Sequence, residues 1–434
     1  MNAKTENEGA CGSADHFSRR TLLQAAGLSG LSWLTPVGDL LAQDAEKKKW
    51  EPATSVILLW LGGGPSQVET FDPHTENSPI AFGTKPIKTA VKDIQIAHGL
   101  PQVAEMMEDI SIIRSVTSKE GDHERAFYNM KTGYRPNPSI VHPSIGSVLA
   151  HQLPDAKVEI PTHISILPNQ WPGRGGFLGA QYDAFQIRDP QQQLPDIVAQ
   201  VKGERETSRS EGLNVVEAAF AKGRNPQLLN DRTLHQETIA KARQMMTSDQ
   251  LKAFDVSEEP QAVRDAYGNT PFGRGCLAAR RLIEVGVRCV EVTLGGFDTH
   301  VNNHELHAGR TEILDPAFAS LVRELKERDL LDSTVVLCGG EFGRTPKLNA
   351  LEGRDHWPHG FSIAMAGGGL LGGKVLGETD PTGEEQKPDN PFGVEDIHAT
   401  IQTALGLDPD KELMSPVGRP MSLSHNGFVI EELL

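Results

Sequence analysis

Three apolar runs in this chain each end in consecutive glycines, and they restrict the fold more than any other feature. Residues 55–61 (SVILLWL) lead into Gly62-Gly63-Gly64, residues 287–294 into Gly295-Gly296, and residues 333–338 (STVVLC) into Gly339-Gly340. Short runs of this kind, rich in β-branched residues, fit strands buried on both faces. The glycines let the backbone turn tightly at each strand end and come close to a ligand. Acids and imidazoles follow at once: Asp298 and His300 after the second run, then Glu341, Arg344, Thr345, Asp355, His356 and His359 after the third. In open α/β sheets, ligands lie in the crevice beyond the carboxyl ends of the strands. Two strand-Gly-Gly-acid-His units predict one shared site, and their donor types predict a metal centre.

The rest of the chain alternates in the same way. Strands are expected over residues 110–116, 162–167 and 361–366, and helices over 99–109, 143–152, 272–284, 316–328 and 394–405. Alternation of this kind gives a largely parallel sheet with helices on both faces. Residues 168–261 break the pattern with loop-forming Gly173-Arg174-Gly175-Gly176, a Gln-rich stretch at 190–193 and a polar helix over 229–247. This region reads as an insertion or cap. No internal repeat is present.

Composition narrows the function classes. The 434 residues are 38% hydrophobic and 23% charged, enough for a large core, and the net charge is -16. No stripe of Lys and Arg stands out, which argues against nucleic acid as a partner. Selectivity for an anion would have to arise locally. Four scattered cysteines make no disulfide framework; Cys276, Cys289 and Cys338 lie on apolar patterns and read as buried thiols.

The N-terminus carries Ser18-Arg19-Arg20-Thr21-Leu22-Leu23, then a modest apolar segment broken by glycines, Pro36 and Asp39. A basic pair before a short apolar region is a twin-arginine export signal, and the segment makes a poor membrane span. Residues 1–42 are therefore expected to be a leader recognised by the twin-arginine (Tat) export machinery. Residues 43–434 would be the working domain, placed in the periplasm or outside the cell.

LGGGPSQVETFDPH, GGFDTH, GGEFGRTP, GRDHWP and DIHATIQTALGL follow the leader in this order along nearly the whole chain. The set closely resembles the exported, largely uncharacterised family DUF1501, which looks like a branch of the alkaline phosphatase and sulfatase superfamily. The resemblance implies an alkaline-phosphatase-like α/β sandwich and a divalent metal, whether Zn, Mn, Ca or Mg. It also implies hydrolysis of a sulfate or phosphate ester, with a sulfated or phosphorylated glycan as one such substrate. A member that has lost hydrolysis and binds an anionic glycan or a partner protein is the alternative.

Carried over residue by residue, the metal ligands would be Asp298, His300, Glu341, Asp355 and His356, with Glu69 or Asp72 standing in near the first strand. Glu341-Phe342 occupies the place of an expected Asp-His pair, so one imidazole is lost. The superfamily's Cys or Ser nucleophile lies nine residues before a Thr-Gly pair; counting back from Thr132 gives His123. At a helix N-terminus His123 can face an anion, as a metal ligand, a general acid or a nucleophile. Ser115, Thr117 and Ser118 are nearby hydroxyl alternatives. Arg344 and Thr345 would hold the anionic group or cap the next element. Without a clear nucleophile, attack by water acidified by a divalent ion is the economical chemistry. His304 and His307 fall on a helical pattern and are expected at the surface.

Overall fold

The glycine-terminated strands lie side by side in one nine-stranded sheet. The computed structural model describes residues 51–434 other than 76, 193, 195, 196, 199, 200, 202 and 223–234, and Pro52–Leu434 forms a compact unit. The expected leader falls outside the described residues. The strands are β1 (Ser55–Gly62), β2 (Ile110–Thr117), β3 (His163–Ile166), β4 (Phe185–Ile187), β5 (Cys289–Gly295), β6 (Thr334–Gly339), β7 (Phe361–Ala366), β8 (Val375–Leu376) and β9 (Phe392–Gly393). Their order is β8-β2-β7-β6-β1-β5-β3-β4, with β9 also beside β2. Only β7 runs against its neighbours; the other pairings are parallel.

Register explains why the glycines matter. Leu61 pairs with Leu294 and Gly62 with Gly295, while Trp60 pairs with Gly339. The three central strands thus end abreast, and the loops after them open on one edge.

Burial on both faces accounts for the continuous apolar runs. Ile57, Leu59 and Leu61 of β1 enter one core with α3 (Pro271–Glu284) and α4 (Asn303–Glu327). Val56, Leu58 and Trp60 enter the other core with α1 (His123–Thr132), α2 (Ile145–Gln152) and α5 (Val394–Ala404). Each such side chain contributes about 1.5–3 kcal/mol by transfer from water. The architecture is the expected mixed α/β sandwich. Cys276, Cys289 and Cys338 are free and buried, as read. No helix among the described residues is long and apolar enough to cross a membrane.

Several boundaries differ from expectation. The helix expected from Pro316 begins at Asn303 and carries Pro316 in its interior, so proline does not mark its first turn. The helix expected over 99–109 is only Pro101–Glu105. That expected over 229–247 spans His235–Thr247, with 229–234 outside the described residues. Within the stretch 168–261, β4 joins the sheet edge beside β3 and is continuous with the main fold.

Candidate metal centre

The loop after β1 threads between the other two strand ends, and only glycine fits there. Gly63 and Gly64 have φ of 111° and 77°. A Cβ on Gly63 would stand 2.3 Å from the Asp298 nitrogen, and one on Gly64 2.5 Å from the Phe342 ring. Their amides point at Glu341: Gly63 N–H donates to Oε1 at 3.0 Å and Gly64 N–H to Oε2 at 3.1 Å. Glu341 is fully buried, and its third donor is His123 Nδ1, 2.7 Å from Oε1.

His123 begins α1, whose N-cap Asp122 accepts from Arg125 N–H and whose end is set by Gly133 at φ 75°. The other two imidazoles of the cluster are anchored by the same device. His300 Nδ1 lies 2.8 Å from Asp355 Oδ1, and His356 Nδ1 lies 2.7 Å from the Gly121 carbonyl. Carboxylates and carbonyls only accept, so each Nδ1 carries a proton and donates it. In the neutral rings all three Nε2 atoms then present lone pairs.

Those lone pairs converge on Asp298. His123 Nε2 is 3.3 Å from Oδ2; His300 Nε2 and His356 Nε2 are 3.0 and 3.2 Å from Oδ1. The two imidazole nitrogens are 3.1 Å from each other. Four acceptors facing one another need protons on the rings or a cation between them. His123, Asp298 and His356 offer donor atoms within 4.8 Å of one another, and His300 stands at the edge of this group, against Asp298 and His356. Ligands about 2.0–2.1 Å from a zinc ion in tetrahedral array stand about 3.3 Å apart, so the residues present fit a divalent ion. Side-chain exposures of 24% for His123 and 46% for Asp298 leave the cluster open to solvent.

Partial burial pushes the Asp298 carboxyl upward, but the hydrogen bond and charge of Arg344, helped by His123, bring it to about 2. The hydrogen bond that His123 donates to Glu341 raises its pKa above the usual imidazole value, against the effect of burial. His300 holds Asp355 low through its hydrogen bond.

The remaining expected residues take other places. Glu341 and Asp355 stand behind His123 and His300, on the Nδ1 side, instead of beside Asp298. Arg344 is fully buried. Its Nε donates to Gly64 O at 2.9 Å, Nη1 to Arg354 O at 3.0 Å, and Nη2 to Gly63 O and to Asp298 Oδ1, the latter at 2.5 Å. It ties the glycine loop to Asp298 from within the protein. The Thr345 hydroxyl accepts from Asp355 N–H and donates to Lys347 O, both at 3.0 Å, so it braces the turn under Asp355. Asp72 is drawn elsewhere: Oδ2 accepts from the Thr379 amide and hydroxyl, and Oδ1 is 3.5 Å from Arg114. Glu69 pairs with the buried Arg354 at 2.9 Å. His307 is 1% exposed, contrary to expectation, because it lies under the glycine loop and accepts from Ser66 N–H at 2.8 Å. Burial, the largest influence on it, lowers its pKa to about 4. The hydroxyls of Ser115, Thr117 and Ser118 donate to Asn390 O, Phe392 O and Asn129 Oδ1.

Two parts of the centre escaped the sequence reading. One is the Gly121 carbonyl that orients His356, which leaves no side-chain signal. The other is the pair of Gly63 and Gly64 amides; the triple glycine predicted close approach to something, and that partner is Glu341.

The solved structures that this chain resembles include several proteins of known class. The PsFucS1 sulfatase from Pseudoalteromonas sp. is 13% identical, with a TM-score of 0.37 over 84% of this chain and 70% of that one. The alkaline phosphatase from the Antarctic bacterium TAB5 is 11% identical, with a TM-score of 0.37 over 82% and 99%. A protein in the alkaline phosphatase superfamily from Vibrio parahaemolyticus is 10% identical, with a TM-score of 0.39 over 88% and 71%. No curated protein matches the chain. The family described as "Protein of unknown function (DUF1501)" matches residues 53–434, and the chain belongs to it.

Proposed function

We propose that this protein is an exported, divalent-metal-dependent hydrolase of sulfate or phosphate esters. The observation that carries this reading is the convergence of three Nδ1-anchored imidazoles on a solvent-exposed Asp298 at the strand ends. His123, Asp298 and His356 would hold the ion, and His300 would close in as a fourth ligand. Three nitrogens and one carboxylate suit Zn or Mn better than Ca or Mg, which prefer oxygen. A divalent ion there lowers the pKa of water and offsets charge gathering on the ester oxygens.

The chain's own residues set the stage for that chemistry. Glu341, Asp355 and the Gly121 carbonyl keep the Nδ1 protons in place, so each ring presents its Nε2 and cannot turn away. Arg344 keeps Asp298 ionised and aimed. The strand-end glycines let the loop backbone sit against Asp298 and Phe342, where any side chain would collide. A local cation also answers how an anionic ester could approach a chain of net charge -16. A sulfated or phosphorylated glycan is the substrate class this reading favours. The twin-arginine leader supports Tat export and action in the periplasm or beyond.

One observation favours a second reading, an anionic-glycan or protein-binding member without turnover. The Ser115, Thr117 and Ser118 hydroxyls are each bonded within the fold and offer no free nucleophile. Aryl and sugar esters of sulfate and phosphate, supplied with Zn or Mn, separate the two. The hydrolase reading expects turnover in the wild type and its loss in Asp298→Ala with the circular dichroism spectrum unchanged. Binding of the sugar esters with no turnover by the metal-loaded protein would favour the second.

A further inference from the structure

A second site lies beyond the far end of α1. A cavity of about 410 Å3 opens between the chain that follows α1 and the hairpin Glu412–Met414/Pro420–Ser422. His142 lines it and is only 3% exposed. The Tyr128 hydroxyl accepts from the His142 backbone N–H at 2.7 Å, and the same hydroxyl lies 2.7 Å from His142 Nδ1. The amide already points at the phenol oxygen, and among the described residues the phenol hydrogen has no acceptor other than Nδ1, so the hydroxyl donates to Nδ1. The ring is thereby fixed as the tautomer whose Nε2 carries hydrogen, and that N–H has no partner among the described residues. Tyr134 stacks flat on the ring at 4.1 Å, so it cannot turn.

The rest of the wall is matched to a donor of this kind. Arg419, on the cavity's solvent-exposed rim, has no carboxylate within ion-pair distance among the described residues, and its charge acts on both Tyr134 and His142. His425 covers Tyr134 at 4.3 Å and is held there in a left-handed conformation, φ 55°, that a non-glycine residue adopts at a cost. Glu412 also lines the cavity, but it is solvent-exposed and does not reach Arg419. Arg135 on the same wall is hydrogen-bonded to Glu120, the residue before Gly121, whose carbonyl orients His356.

We infer that this cavity is an oxyanion-binding site, separate from the metal centre, in which the fixed His142 Nε2–H and the Arg419 guanidinium grip one sulfate or phosphate group. A neutral N–H donor and an unpaired guanidinium lining one cavity are a combination that recognises such a group through charge-assisted hydrogen bonds. The site stands whether or not the metal centre hydrolyses anything.

The test is inorganic sulfate, then phosphate, titrated into the purified full chain labelled with 15N-histidine and followed at the His142 ring resonances. The expected result is a saturable shift, weakened about tenfold or more in Arg419→Gln by loss of a charge-assisted bond, and retained in Asp298→Ala. A shift that never saturates, survives unchanged in Arg419→Gln, or disappears in Asp298→Ala overturns the assignment. A monosaccharide sulfate run in parallel identifies the source. Affinity equal to inorganic sulfate supports a site for the free ion, and tighter binding supports a sulfate carried on sugar.

Discussion

Replacing Glu341 by Gln tests how the metal centre is built. The carboxylate is fully buried and only accepts, and three donors are aimed at it: Gly63 N–H, Gly64 N–H and His123 Nδ1–H. An amide turns one of those oxygens into a donor. With the NH2 at the Oε2 position it meets Gly64 N–H head-on. With the NH2 at Oε1 it meets Gly63 N–H, and His123 must then move its proton to Nε2, where it faces Asp298. The first arrangement costs less, and it strands one buried amide. That orphaned donor costs about 1–3 kcal/mol, and loss of charge from the two remaining bonds adds about 1 kcal/mol, for about 2–4 kcal/mol in all. The metal should also bind about 10–100-fold more weakly, as when an outer partner of a ligating histidine is lost. Urea unfolding of the metal-free protein reads the first quantity, and titration against a chelator of known affinity reads the second. A stability loss under about 0.5 kcal/mol with unchanged metal affinity would refute the reasoning.

Two further outcomes follow from titrating groups. Burial raises Glu291, but Lys131 at 2.8 Å and His163 outweigh it and bring the carboxyl to about 2. Because the folded value lies below the unfolded one, about 4.3, its stabilisation is complete above pH 4.3 and is lost as pH falls toward 2, amounting to about 3 kcal/mol. Unfolding free energies measured between pH 6 and 2 should therefore fall less steeply in Glu291→Gln than in wild type (an equal slope counts against the assignment). At the centre, His123, held above the usual imidazole value by its bond to Glu341, must give up its Nε2 proton to hold an ion, so occupancy should be lower at pH 5 than at pH 8. A bound-metal assay giving the same occupancy at pH 5 and pH 8 would contradict that.

The strands were legible because the same condition shaped both sequence and fold. A parallel strand covered on both faces is largely apolar, as residues 56–61 are, and its end must tolerate a close turn. The α4 helix was half hidden, because its first half carries His304, Glu305, His307 and Arg310 and is interrupted by Pro316. Polar spacing there suggested surface, yet His307 is buried because the glycine loop lies over it. At the site, residue types were readable and their layers were not. Glu341 and Asp355 look like ligands in the sequence, where nothing tells the Nδ1 side of an imidazole from its Nε2 side. Asp72 looked equally suited, and its diversion to Thr379 depends on a loop more than 300 residues away in the chain. Composition also gave no warning that Arg344 would be sealed inside the protein.

Elemental analysis of the purified protein beside Asp298→Ala and His356→Ala tests the central claim most directly. The account predicts a divalent metal near one equivalent in the wild type, lost from both variants while their folds are retained. A wild type that takes up no ion after incubation with Zn, Mn, Ca or Mg would contradict it.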